Sequence, residues 1–329
     1  MKSKIEYPLV EPIYSTYHGQ GAGTAIFTDN PSIRNWYLNE VMILRCSRGF
    51  LSGGRTPGIN IVNSDWRDNP YIDRLRYEMK YLNGHIHYVI KNMLKSGYYV
   101  YFRGIDDYYV DGKCWYRKRH FLHDGTICGY NPDDKTYCIY SYDSNWIYQK
   151  FWTPQKSFEK GRQAMFKEKR YGTIWAFKPK DDIVKFCPES AIKKIEEYLD
   201  STLEKYPLDE EGHVYGIAVH DYLIMYVRML YDQNIAYDQM DRRIFRLVWE
   251  HKKLMLERIQ CIESSLFLDS EISNKYCELV DVANHIRMLY ASHHMKRKDA
   301  VLPVIEKQLK RLKDDERDLL EKLLRKRKG

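Results

Sequence analysis

The sequence predicts an α+β fold: an antiparallel sheet with helices, followed by an all-α C-terminal region. Two stretches carry that prediction. Between Gly97 and Trp152, three apolar-aromatic runs alternate with turn residues: Tyr98 to Phe102, Thr126 to Tyr130, and a third ending just before Asp143. Strands read this way because side chains on a pleated chain alternate faces, and the turns between them need Gly, Asn, Asp or Pro. From about Lys180 onward the apolar spacing changes to steps of three and four, the repeat of helices that bury one face. The change places a boundary near residue 182, giving an α+β domain over 1–181 and a helical domain over 182–329 expected to pack on it.

Taken in order, residues 1–35 read as loops and one short helix, with a Gly-rich run His18-Gly-Gln-Gly-Ala-Gly-Thr-Ala-Ile-Phe27. Asp29 to Ser32 is turn chemistry that also caps helices. Ile33 to Arg45 has helical spacing, with a strand possible from Val41. Ser47 to Asn69 is a turn-rich loop holding a short strand near Ile59 to Val62. Pro70 opens an expected helix through Leu75, Met79, Leu82, Ile86, Ile90 and Met93, closed by Gly97. After the strand block a helix is expected from Thr153-Pro154 to about Ala164, then a strand over Gly172 to Lys178. The helical half reads as Ser190–Leu203, Asp221–Tyr231, Arg242–Glu263, Ser270–His293 and Leu302–Leu324, the last with Ile305, Leu309, Leu312, Leu319 and Leu323 in register.

Composition narrows the function class. At 329 residues, 44% hydrophobic and 30% charged, the chain can bury a large core. Its 29 tyrosines suit sheets and partly wet pockets. The net charge of +8 gathers at the C-terminus without any base-reading motif, so no nucleic-acid partner is expected. No apolar run approaches the roughly 18 residues of a membrane span. Seven cysteines at irregular spacing, with no C-x-x-C and no secretory signal, imply reduced thiols and a cytoplasmic protein. No cofactor or metal is called for. The His120-x-x-His123-Asp124 run lacks a fourth ligand and helical spacing.

The chemistry-bearing residues concentrate in the strand block. His123 heads one strand and Asp143 ends the next, about equally far from the intervening Asn-Pro-Asp-Asp turn, so a hairpin would set them opposite or diagonal. A carboxylate beside an imidazole orients it as a base. Asp106 and Asp107 end the preceding strand; they either face the same cleft or belong to a simple turn. A nucleophile is less evident. The segment before and into the first helix holds Ser15, Thr16, His18, Gln20 and Thr24, and Cys46 comes later beside a loop. In the helical half, Asp241, Arg242, Arg246, Glu250, Lys253, Glu257 and Arg258 read as ion pairs along an interdomain helix.

The run from Asp106-Asp-Tyr-Tyr-Val through Lys118-Arg-His-Phe-Leu-His-Asp-Gly-Thr-Ile-Cys-Gly-Tyr130 to Tyr137-Cys-Ile-Tyr-Ser-Tyr-Asp143 resembles the N-terminal domain of the butirosin biosynthesis protein H family. The resemblance spans roughly residues 10–295 and is best between 97 and 146. The helix carrying Glu250-His-Lys-Lys-Leu-Met-Leu-Glu-Arg-Ile259 also looks like the helical tail of assembly-line relatives. The resemblance implies a papain-like (C39-peptidase-like) fold and a protein that accompanies nonribosomal peptide or polyketide synthesis. It implies an acyltransferase moving an acyl group from a carrier-protein thioester to a small-molecule amine. His123 and Asp143 match the family's His and acid, and Gln20 stands where an oxyanion donor would. The family's nucleophilic Cys, expected at the start of the first helix, is absent; that region reads Tyr17-His-Gly-Gln-Gly-Ala-Gly-Thr-Ala-Ile-Phe27. Three readings follow: an acyltransferase using His123 and Asp143, with a nucleophile, if any, among Ser15 and Thr24; a catalytically inactive relative that binds a carrier protein or megasynthase domain; and a cysteine-peptidase-like hydrolase.

Overall fold

In the computed structural model of the chain, the described residues are 3–27, 29–52, 56–82, 84–167, 172–201 and 212–327, with the side chains of 26, 27, 166 and 167 outside the description. In chain order they form β1 (Ile5–Glu6), α1 (His18–Phe27), α2 (Pro31–Glu40), β2 (Leu44–Ser47), β3 (Asn60–Ile61), β4 (Ile72–Glu78), α3 (Ile86–Lys95), β5 (Tyr99–Asp106), β6 (Leu122–Asn131), β7 (Thr136–Tyr142), β8 (Tyr148–Pro154), α4 (Gln155–Lys167) and β9 (Thr173–Pro179). There follow α5 (Pro188–Asp200), β10 (His213–Tyr215), α6 (Val219–Tyr231), α7 (Ile244–Ser265), α8 (Glu271–Lys296) and α9 (Leu302–Lys326). The expected α+β class with an antiparallel sheet is what these elements build. No helix among the described residues is long and apolar enough to cross a membrane.

Two compact units divide the chain: 1–33 with 65–183, and 34–64 with 184–329. The break at 183 falls beside the boundary expected from sequence. The excursion of 34–64 into the second unit was not expected. Local chemistry explains it. β2 pairs antiparallel with β10 and with β3. The buried Arg258 guanidinium of α7 donates to the carbonyls of Tyr37 (3.0 Å), Leu38 (2.6 Å) and Val41 (2.8 Å). They lie in the last turn of α2 and just past it, where a helix leaves carbonyl groups short of donors, so Arg258 ties down the end of α2. The second unit is therefore not all-α; it contains a three-stranded sheet.

The first unit is organised by an antiparallel sheet of seven strands among the described residues, ordered β4-β9-β5-β6-β7-β8, with β1 added to β6. Its core includes Val100, Phe102, Ile105, Ile127, Ile139, Ile174 and Ala176 of the strands, covered by Ile86, Ile90 and Leu94 of α3 and Phe158 and Met165 of α4. One expectation fails here and one shifts by two residues. The helix expected from Pro70 is strand β4 up to Glu78, paired residue by residue with β9; Met79–Leu82 is a single 3-10 turn and the α-helix is Ile86–Lys95. In Ile72-Asp-Arg-Leu-Arg-Tyr-Glu only Leu75 and Tyr77 alternate, so the strand is set by pairing with the available sheet edge rather than by the local pattern. The helix expected from Thr153-Pro154 begins two residues later as α4, because Thr153 and Pro154 close β8, which pairs with β7 over its whole length. The end of the expected Ser190–Leu203 helix lies outside the described residues.

The Gly-rich run is α1. Glycine is poor in helix interiors, and close approach explains its use here. A Cβ on Gly23 would lie 2.2 Å from the Cβ of Trp66, and one on Gly21 would lie 2.9 Å from the Tyr148 ring. The helix is pressed onto its neighbours because these side chains are missing.

The second unit carries a polar group in its core. The α9 stripe of Leu302, Ile305, Leu309, Leu312, Leu320 and Leu323 is interrupted by Glu316, which is fully buried. Glu316 pairs with buried Lys252 of α7 (2.6 Å) and accepts from Tyr198 and Tyr276, while His220 lies 3.8 Å away. Burial and then the Lys252 ammonium hold the His220 imidazole down at about 4. Native His220 thus stays neutral where an unfolded histidine, near 6.5, takes a proton, so stability present above pH 6.5 is lost as pH falls toward 4. The expected loss is about 3 kcal/mol for this group. Urea unfolding between pH 7.5 and 4.5 should show an acid slope to which buried His251, held well below 6.5 by burial and Lys252, also contributes, and His220→Gln should reduce it; an unchanged slope would remove His220 as a source. Lys252→Met strands a buried carboxylate and should cost about 3–5 kcal/mol at pH 7.5 in the same assay.

Candidate active site

The site forms where β5 leaves the sheet. The β5–β6 register shifts between Phe102 and Ile105, and Gly104 in the break has φ +78°. The Gly104 N–H donates to Asp124 Oδ1 (3.1 Å), which fixes the bulge. Beyond it Ile105 pairs with His123, and the Asp107 N–H reaches the Phe121 carbonyl (3.0 Å). A bulge bends a strand and re-aims its side chains. Here it brings the turn after β5 against the start of β6.

The consequence is a close pair. His123 Nδ1 lies 2.7 Å from Asp107 Oδ2; the carboxylate is fully buried and the imidazole is 16% exposed. On the other edge of the ring, His123 Nε2 lies 2.7 Å from Nε2 of His18, the first residue of α1. The His18 ring stands edge-on to His123, Tyr142 and Tyr148. Buried Lys113 completes the set: its ammonium lies 3.0 Å from Asp107 Oδ1 and donates to the Asp124 carbonyl and Ser141 Oγ, both at 2.8 Å.

Proton placement follows from the partners. A carboxylate only accepts, so His123 carries its proton on Nδ1 and offers the lone pair of Nε2. His18 then donates Nε2–H to that lone pair. Burial, and next the Lys113 ammonium, hold the His123 imidazole below its ordinary value, with Asp107 pulling the other way. His123 is therefore a neutral, oriented base near pH 7.

Asp143 is not the partner of His123. The strand count was sound, since Thr126 pairs with Tyr140, but Asp143 lies beyond the end of β7. Its carboxylate turns into the next loop, where Oδ1 accepts from the N–H groups of Asn145 and Ile147 (2.9 Å each) and Oδ2 from Gln149 (2.6 Å). Burial pushes its acidity the other way, but those three donors hold it below the usual carboxylate value. Asp106 belongs to the turn: it accepts from the backbone of Tyr108 and Phe121 and from His120. Asp124 serves the bulge and Tyr101 (2.6 Å). The His120, His123 and Asp124 side chains thus have separate partners.

The proposed nucleophile segment fares unevenly. The Thr24 hydroxyl lies 2.8 Å from the carbonyls of both Tyr14 and Gln20, to one of which its proton goes, and is fully buried. Gln20 is buried on α1 two residues past His18, a spacing that does not share a helix face. Ser15 precedes the helix by three residues. Cys46 is buried in β2 of the other unit, its thiol pushed up to about 12 by burial. Cys114 is the near thiol, 3.9 Å from His123 Nδ1 and 3.7 Å from Asp107 Oδ2, yet fully buried. Burial and then the Asp107 charge raise it to about 11, so it is a thiol rather than a nucleophile. Asp107, Cys114 and His123 also offer ligand atoms within 4.8 Å of one another. A metal there would have to deprotonate that raised thiol beside the Lys113 ammonium, so these residues fit a proton-handling site better than a cation site.

Two participants were missed from sequence. His18 was one residue among several in its segment; its place at the start of the Gly-rich run was the available signal. Lys113 had none. Neither models of known protein families nor curated proteins match this chain.

His123 should titrate below 6.5 by NMR. Asp107→Asn removes the interaction that raises it and leaves Lys113 unopposed, so the value should fall further; Asp143→Asn should leave it in place. The reverse pattern would return the orienting role to Asp143.

Proposed function

We propose that the chain is an acyltransferase that carries out aminolysis of a thioester by general acid–base chemistry, without a cysteine acyl-enzyme. The observation that carries the reading is His123, held by Asp107 on one nitrogen and facing His18 on the other. The papain-like ancestry suggested by resemblance supplies the reaction class: a carrier-protein thioester as donor and a small amine as acceptor. The antiparallel sheet and the helix that delivers a residue to the His agree with that ancestry.

The step balances without a covalent intermediate. The acceptor amine replaces His18 as donor to His123 Nε2. Its nitrogen attacks the thioester carbonyl carbon, forming C–N while His123 takes the amine proton. The His18 Nε2–H, released from His123, turns to the developing oxyanion. Collapse breaks C–S, and His123 returns the proton to the departing sulfur. Asp107 keeps the tautomer and stabilises the imidazolium. The Lys113 charge limits how basic His123 can be, which lets it give the proton back.

The test is turnover of an acyl-loaded carrier protein with an amine, followed by intact mass. Wild type should release the acyl group as amide with no acylated enzyme. His123→Ala should lower kcat/KM by about 10²–10⁴, and Cys114→Ala should retain activity. The pH profile should rise through an acid limb centred below 6.5, since His123 acts when neutral. His18→Cys should restore the missing thiol and accumulate a covalent acyl-enzyme. An acylated Cys114 in wild type would overturn the non-covalent mechanism. Absence of turnover with tight carrier binding would favour the inactive, carrier-binding relative.

A further inference from the structure

Where β4 ends and β9 begins, the first unit holds a cleft of about 510 Å³, lined among others by Arg67, Arg76, Arg103, Leu122, Thr173 and Trp175. The sheet register gathers most of this lining. Arg76 lies directly opposite Trp175, and Thr173 lies opposite Glu78 on one side and Arg103 on the other. Residues opposite one another in antiparallel strands share a face, so β4, β9 and β5 present two arginines to the same space. Arg67 adds a third from the turn before β4.

Two of the three guanidinium groups are already held. Arg67 grips Asp65 through two N–H···O bonds, of 2.7 and 2.6 Å, the parallel fork that suits a carboxylate. Arg76 pairs with Glu78 at 2.5 Å and lies 5.4 Å from the centre of the Trp175 ring. Arg103 differs. Thr173 stands between it and Glu78, which sets the two backbones two strand spacings apart, roughly 10 Å. Among the described residues its exposed side chain has no ion pair. Asp65 and Glu78 thus match two of the three charges and leave one in surplus. Half-buried Leu122 and Trp175 supply apolar surface in the same cleft.

We infer that this cleft binds a small monocarboxylate with an apolar body, its carboxylate on Arg103 and its body against Leu122 and Trp175. One surplus charge matches a monoanion, and the planar fork of arginine matches a planar carboxylate, as Asp65 on Arg67 shows in the same cleft. A phosphate dianion would bring a second negative charge, unmatched, beside Asp65 and Glu78. The cleft volume falls within the roughly 300–1,000 Å³ typical of small-molecule sites. Leu122 precedes His123, and successive residues of a strand point to opposite faces. The occupant therefore meets the reverse side of the strand that carries the base, and the site does not depend on the acyl-transfer reading.

The test is titration of the ¹⁵N-labelled full chain at pH 7.5 with 3-phenylpropanoate, followed by amide shifts. The signals of Gly104, Leu122, Gly172 and Thr173 should move together and saturate, with Kd below about 1 mM. Removing the charge (3-phenylpropanamide), removing the body (acetate) or offering inorganic phosphate should each weaken binding at least about tenfold. Arg103→Gln should do the same to 3-phenylpropanoate with thermal unfolding unchanged, since the side chain is exposed, while Arg311→Gln on α9 should leave binding intact. Equal binding of acid and amide, tighter binding of phosphate, or full affinity in Arg103→Gln would overturn the assignment.

Discussion

A buried ion pair, Lys113 with Asp107, fixes the chemistry of the first unit. Both side chains are fully buried, and each is costly without the other. Lys113 anchors on Ser141 and the Asp124 carbonyl, so the charge is tied to β7 and to the start of β6. Asp107 is thereby held as a carboxylate whose second oxygen is turned to His123. The two charges act on the imidazole in opposite senses. Asp107 fixes its tautomer, and Lys113, together with burial, keeps it neutral. A base that is oriented and also weak enough to return its proton comes from that balance.

Backbone features make the pair possible. The Gly104 bulge turns the end of β5 toward β6, and glycine in α1 lets that helix lie against Trp66 and Tyr148. His18 then arrives edge-on between His123 and Tyr142, whose rings are parallel within 8°. The second unit uses a comparable device for a different end. Lys252 and Glu316 pair in the middle of an apolar stripe, with tyrosine hydroxyls completing the carboxylate. Among the described residues its members Lys252, Glu316, Tyr198, Tyr276 and His220 are all buried, which ties the network to stability and packing.

Much of the fold was legible. Long helices with one apolar face, and strands bounded by turn residues, follow from periodicity, and α6 to α9 and β5 to β7 lie where the spacing puts them. Ile72 to Glu78 shows the limit: its apolar residues at 72, 75 and 77 do not alternate, and pairing with β9 makes it a strand against the local pattern. The site was legible by half. His123 stood out as the head of a strand, but hairpin counting holds only as far as Thr126 opposite Tyr140; Asp143 bridges to Lys113 and spends its carboxylate on its own loop. Asp107 could not be preferred over Asp106 because the bulge that turns one inward depends on Asp124 and Gly104 meeting in three dimensions. Lys113, a buried cation in a charged run, carries no local mark. The pair it makes with Asp107 is a tertiary property.

The tautomers of His18 and His123 test the central geometry most directly. Long-range proton–nitrogen correlation of the imidazoles at pH 7.5 should find His123 neutral with its proton on Nδ1, and His18 with a proton on Nε2. A His123 protonated on Nε2, or an exchange-averaged ring indifferent to Asp107→Asn, would contradict the Asp107–His123–His18 arrangement.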